Sequence, residues 1–97
     1  MADQGTDDMS WRVRARRVIR ACFDWRADVA PSGLVCVTAR GATAGFGETQ
    51  AIAEAKAVEA TLCDLERDVV GFHGMAADQR FDAVRRAAIL AAQRHAG

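Results

Sequence analysis

The sequence predicts an α+β domain: an N-terminal helix, a two- or three-stranded antiparallel β-hairpin sheet, then a long helix and a C-terminal helix packed on it. Three observations lead there. Apolar residues recur at helical spacing after Ser10, again from Ala51 to Val69, and again from Phe81 to Ala91. Between Phe23 and Val29 they alternate instead with charged ones. Turn chemistry at Ala30-Pro31-Ser32-Gly33 joins that stretch to a valine-rich one.

Residues 1–9, with Asp3, Asp7 and Asp8, read as a flexible acidic tail, and residues 10–97 as one small domain. Trp11, Ala15, Val18, Ile19 and Cys22 share one helical face, with Ser10 as the expected N-cap. A strand competes for the same residues, because Trp11, Val13 and Ala15 also alternate with arginines, but the alternation breaks at Arg17-Val18-Ile19. Phe23, Trp25, Ala27 and Val29 form the apolar face of a first strand, and Leu34–Arg40 a second. Thr43–Phe46 offers a short third. Glu48–Val70 is a long helix with Gly47 or Thr49 capping its start and Gly71 ending it. Its Ala51, Ala55, Val58, Leu62, Leu65 and Val69 make a heptad-like seam, a surface through which two copies could pair. A loop over Phe72–Met75 leads to a last helix, from Gln79 to about His95, capped by Asp78 and striped with Phe81, Val84, Ala88 and Ala91.

Of the 97 residues, 21 are Ala and 25 are Val, Ile, Leu, Met, Phe or Trp. Large core side chains are therefore scarce for a chain of this size, and help from a partner or a second copy is expected. No apolar run approaches the ~20 residues that span a bilayer, and the acidic start is neither a signal nor a transit peptide, so a cytoplasmic protein is expected. Cys22, Cys36 and Cys63 are odd in number and widely spaced, which suits reduced core residues better than a disulfide framework.

Charge is polarised although the net charge is zero. Residues 11–26 carry net +5, residues 47–70 net −4, and the stretch from Asp78 onward net +2. The basic block contains Arg12, Arg14, Arg16, Arg17, Arg20 and Arg26, of which Arg12, Arg16 and Arg20 share a helical face. Three readings compete for it: a solvated face paired internally with the acidic helix, a protein-docking face, or a phosphate-contacting face for nucleic acid.

Catalytic and metal chemistry finds little support. No Cys-x-x-Cys pair nucleates a zinc site among Cys22, Cys36, Cys63, His73 and His95. Ser10 and Ser32 are better used as cap and turn, and a Cys63–His73 pair is the one conceivable nucleophile and base. The glycine-rich Gly41–Gly47 stretch lacks the Lys of a phosphate-binding loop and is followed by Glu48. Neither an enzyme nor a bound cofactor is expected. Phe72 and Met75, set among Gly71 and Gly74, read either as a plug beneath a helix–helix turn or as an apolar contact surface.

From Trp25 to about Ala60 the layout is a hairpin, a Gly-Phe-Gly-x-Thr turn and an alanine-rich helix. It resembles the hairpin–helix of HicB-type antitoxins and of the arm-type DNA-binding domains of phage integrases. The resemblance covers about a third of the chain and assigns no residue a role. It implies a regulatory partner and a mobile-element context.

The sequence thus leads to a non-enzymatic macromolecule-binding protein. A small protein-interaction inhibitor or regulator stands first, of a phage-borne, anti-defence type such as an anti-CRISPR. Its contacts are expected at Arg12, Arg14, Arg16, Arg17, Arg20, Arg26, Phe72 and Met75. A nucleic-acid-binding regulator using the first helix and hairpin is the alternative. On the leading reading, reversing Arg12, Arg16 and Arg20 to Glu is expected to abolish partner binding and spare the fold.

Overall fold

The computed structural model describes residues 4–94. Helix α1 spans Gln4–Cys22, and strands β1 (Arg26–Val29), β2 (Val35–Thr38) and β3 (Gly45–Gly47) follow. Helix α2 spans Gln50–Asp68, a single 3-10 turn covers Phe72–Gly74, and helix α3 spans Ala77–Arg94. The α+β class and the element order are those expected, with the optional third strand present.

Helix α1 settles the ambiguity of its arginine alternation in favour of 3.6-residue periodicity. Trp11, Ala15 and Ile19 are buried at successive turns, with Val18 and Cys22 half-buried beside them. Ser10 is not its N-cap, because the helix starts at Gln4 and Ser10 lies inside it. Residues 1–3 of the expected tail, and His95, lie outside the described residues.

The sheet is antiparallel in the order β1-β2-β3. Its hairpin closes as expected: Gly33 N–H donates to Ala30 O, Ala30 N–H donates to Leu34 O, and Gly33 takes φ +89°, which its missing Cβ permits. Ala27, Val37 and Gly45 lie side by side, as do Val29, Val35 and Gly47, and these two rows form the inner face. Helix α2 covers that face over β2 and β3 but stops short of β1. All four residues of β1 are therefore exposed, and the expected buried face of the first strand is confined to Phe23 and Trp25, which precede it.

Helix α2 can sit on β3 because the contact is built from the smallest residues. A Cβ added at Gly45 would come within 2.3 Å of Ala57 N and 2.4 Å of Ala53 O. At Gly47 it would come within 2.6 Å of Ile52 Cγ2. The glycines at 45 and 47, read as turn chemistry, are thus packing residues. The expected seam is also rotated in its first half: Ala53 and Ala57 face the sheet, while Ala51 and Ala55 are exposed. Farther along, Val58, Leu62 and Leu65 enter the helical core with Trp11, Ile19, Phe72 and Val84, so they are used within the subunit rather than left for a second copy. Val69 is half-buried against the same core.

Local signals fix the boundaries. Thr49 caps α2, its hydroxyl accepting from Ile52 N–H at 3.2 Å. Gly71 takes φ +74° just beyond the helix. Asp78 lies inside the first turn of α3 rather than capping it, and the Gln79 side chain accepts from Ala76 N–H at 3.0 Å. Thr61 ties the loop before β3 to α2: its hydroxyl accepts from Thr43 N–H at 3.0 Å and donates to Ala57 O at 2.8 Å. The Thr43 hydroxyl donates to the Asp64 carboxylate. Helix α3 lies chiefly against α1, with Val84 and Ala88 buried and Phe81 and Ala91 half-buried.

Gly45→Ala is expected to lower the unfolding free energy in urea by about 3 kcal/mol, because backbone cannot retreat from backbone. Gly74→Ala, whose Cβ would meet nothing within 4 Å, is expected to change it by less than about 0.5 kcal/mol.

Candidate functional site

The arginine face of α1 lies against α2, whose chain runs the opposite way. Arg12 Nη1 donates to Glu66 Oε2 at 3.0 Å, and Arg16 Nε donates to Glu59 Oε1 at 2.8 Å. Arg20 Nε stands 3.9 Å from Glu54 Oε1. The three pairs form a ladder along the rim of the helix pair, all partly open to solvent. Of the three readings of the basic block, internal pairing with the acidic helix therefore describes Arg12, Arg16 and Arg20.

The other arginines of the block are placed differently. Arg14 lies 4.0 Å over the Phe81 ring, where cation and π-face attract. Arg17 is exposed and has no ion-pair partner among the described residues. Arg26 meets Asp24 at 3.5 Å with both side chains largely exposed, an arrangement that contributes little. On α3, Arg85 and Arg86 bracket Asp82 at 2.7 and 3.0 Å. The Arg85 hydrogen bond foremost, helped by both positive charges, holds the Asp82 carboxyl below the usual carboxylate range. The stabilisation is complete above the ordinary Asp pKa and disappears as pH falls through the lowered value.

Phe72 is 4% exposed and packs edge-on against Trp11 with ring centroids 5.5 Å apart, so it plugs the core and offers no contact surface. Met75 is half-buried. Seven other large apolar residues are exposed among the described residues. Val70 is 93%, Val29 70%, Leu90 55% and Phe46 52% exposed, and Val13, Leu34 and Ile52 also face solvent. Gly45 and Gly47 are buried against α2, so strand alternation turns Phe46 onto the open outer face, beside Cys36 and in line with Asp28.

A cleft of about 450 Å³ opens where α1 ends, with Cys22, Phe23, Arg26, Thr38 and Arg40 among its walls. Burial pushes the Cys22 thiol up, so it stays protonated near neutral pH and is a weak nucleophile. His73 is not part of these walls, and no hydrogen bond joins it to Cys63 among the described residues. All three cysteines are free and half-buried, not fully in the core. Among the described residues no group of three His, Cys, Asp or Glu side chains is arranged to hold a metal ion, and no helix is long and apolar enough to cross a membrane.

Comparison with protein-family models, with curated proteins and with solved structures gives no match.

The ladder changes the expected effect of reversing Arg12, Arg16 and Arg20 to Glu. The triple variant sets three new carboxylates against Glu66, Glu59 and Glu54, so it is expected to lose about 2–4 kcal/mol of stability, less at high salt. Adding Glu54→Arg, Glu59→Arg and Glu66→Arg is expected to recover most of that loss in urea melts. No recovery would mean that the pairs do not face each other.

Proposed function

We propose that the chain is a non-enzymatic protein-binding module, a small inhibitor or regulator that engages its partner through the open outer face of the three-stranded sheet. The observation that carries this reading is Phe46, an aromatic side chain 52% exposed in the middle of a strand. The burial of its two neighbours leaves it no route inward. A rigidly presented aromatic binds at low entropic cost, and aromatics are enriched among the residues that dominate protein interfaces. Arg26 and Thr38 share the outer face and can ring such an anchor with polar contacts. The reading covers a mobile-element inhibitor of the anti-defence kind, such as an anti-CRISPR, whose activity is occupancy of a partner's surface. The nucleic-acid alternative is weakened, because Arg12, Arg16 and Arg20 already face carboxylates.

Phe46→Ser, which removes a half-exposed ring, is expected to leave the fold intact. It is expected to abolish co-purification of the partner that the unaltered chain retains from its native cell. Undiminished retention by the variant would overturn the assignment of the outer face. Fluorescence anisotropy with labelled duplex and single-stranded DNA is expected to show no binding even at low salt. Tight binding whose log–log salt slope grows by about 0.9 per phosphate contact would instead establish the nucleic-acid reading.

A further inference from the structure

We propose that the chain forms a two-fold symmetric dimer by pairing the free edge of β1 with β1 of a second copy, in the register that sets Arg26 of each copy opposite Asp28 of the other.

Strand β1 is outermost in the sheet, and all four of its residues are exposed. They pair one-for-one with β2, without a bulge, and contain no proline. A regular edge of this kind is a template for a further strand unless something blocks it. The β3 edge is a poorer one, being three residues long.

The backbone restricts the registers. Ala30 N–H bonds to Leu34 O at 2.8 Å, and that pair continues the register in which Val29 faces Val35. Hydrogen-bonded and non-hydrogen-bonded pairs alternate along an antiparallel ladder. Arg26 and Asp28 therefore turn their N–H and C=O groups toward β2, while Ala27 and Val29 turn theirs to the free edge. A second copy added antiparallel must also present outward groups to outward groups. Ala27 can then face only Trp25, Ala27 or Val29 of the second copy.

Charge selects among the three. With Ala27 facing Trp25, Arg26 meets Arg26 of the second copy. With Ala27 facing Val29, Asp28 meets Asp28. With Ala27 facing Ala27, Arg26 meets Asp28 twice, at non-hydrogen-bonded positions where side chains approach most closely. Like charges penalise the outer two registers and opposite charges favour the central one. On the inner face the same register sets Val29, 70% exposed in the single chain, against Trp25 of the second copy. The charges that would deter a foreign strand are thus self-complementary. The joined sheet has six strands and presents both Phe46 side chains on one side.

Sedimentation equilibrium of the full chain, from about 1 µM to about 500 µM, tests this without any partner. The unaltered chain is expected to dimerise within that range. Asp28→Arg is expected to weaken the dimer roughly 30-fold, since two favourable cross-strand pairs become unfavourable. Asp28→Asn, a milder change in case the reversal disturbs the hairpin, is expected to weaken it roughly 5-fold. The double variant Arg26→Asp with Asp28→Arg is expected to restore affinity to within about 3-fold. Phe46→Ser is expected to leave the dimer unchanged, which separates this inference from the partner-binding reading. A monomer at every concentration, a dimer indifferent to Asp28→Arg, or a double variant that stays weak would each overturn it.

Discussion

Helix α2 approaches β3 so closely that strand and helix touch almost backbone to backbone, and the rest of the structure follows from that approach. Any side chain at position 45 or 47 would overlap the helix. With glycine there, Ala53 and Ala57 become the inward residues of the first half of α2, and the helix is rotated accordingly. Because a helix this close covers little width, it reaches β2 and β3 and leaves β1 uncovered. The high alanine content thus has a structural reason: small residues lose little surface burial individually, but they permit the short separation that brings backbone atoms into contact.

Two clusters result. The helical one is built on Trp11, Ile19, Phe23, Leu62, Phe72 and Val84, and the smaller one, under the sheet, on Val37, Ala53 and Ala57. Trp25 packs against both. Its ring meets Phe23 at 5.8 Å, so the segment leaving α1 bridges the helical bundle and the sheet.

The sequence made the helices legible where one neighbour dominates. The stripes on α1 and α3 were read correctly because each runs along a single core, and the Pro-Ser-Gly turn was read because its chemistry is local. Helix α2 was misread at Ala51 and Ala55 because it serves two neighbours at different angles, and alanines give periodicity too little contrast to choose between them. The charge ladder was legible in outline as a basic block and an acidic one. Its pairing depended on the antiparallel packing of α1 and α2, which local pattern does not encode. Phe72 and Phe46 are hard to place from sequence for a related reason. Both are flanked by glycine, and only the three-dimensional setting shows that Phe72 lies under a helix–helix turn while Phe46 lies between two residues already committed to the helix.

The Gly45-Phe46-Gly47 strand divides its duties unusually cleanly. The two glycines bear the packing constraint against α2, while the residue between them turns to the opposite face and is 52% exposed. Substitution at that one position therefore changes the outer face of the sheet while leaving the contact of the strand with α2 in place. In evolutionary terms, codon 46 can drift while codons 45 and 47 stay under purifying constraint.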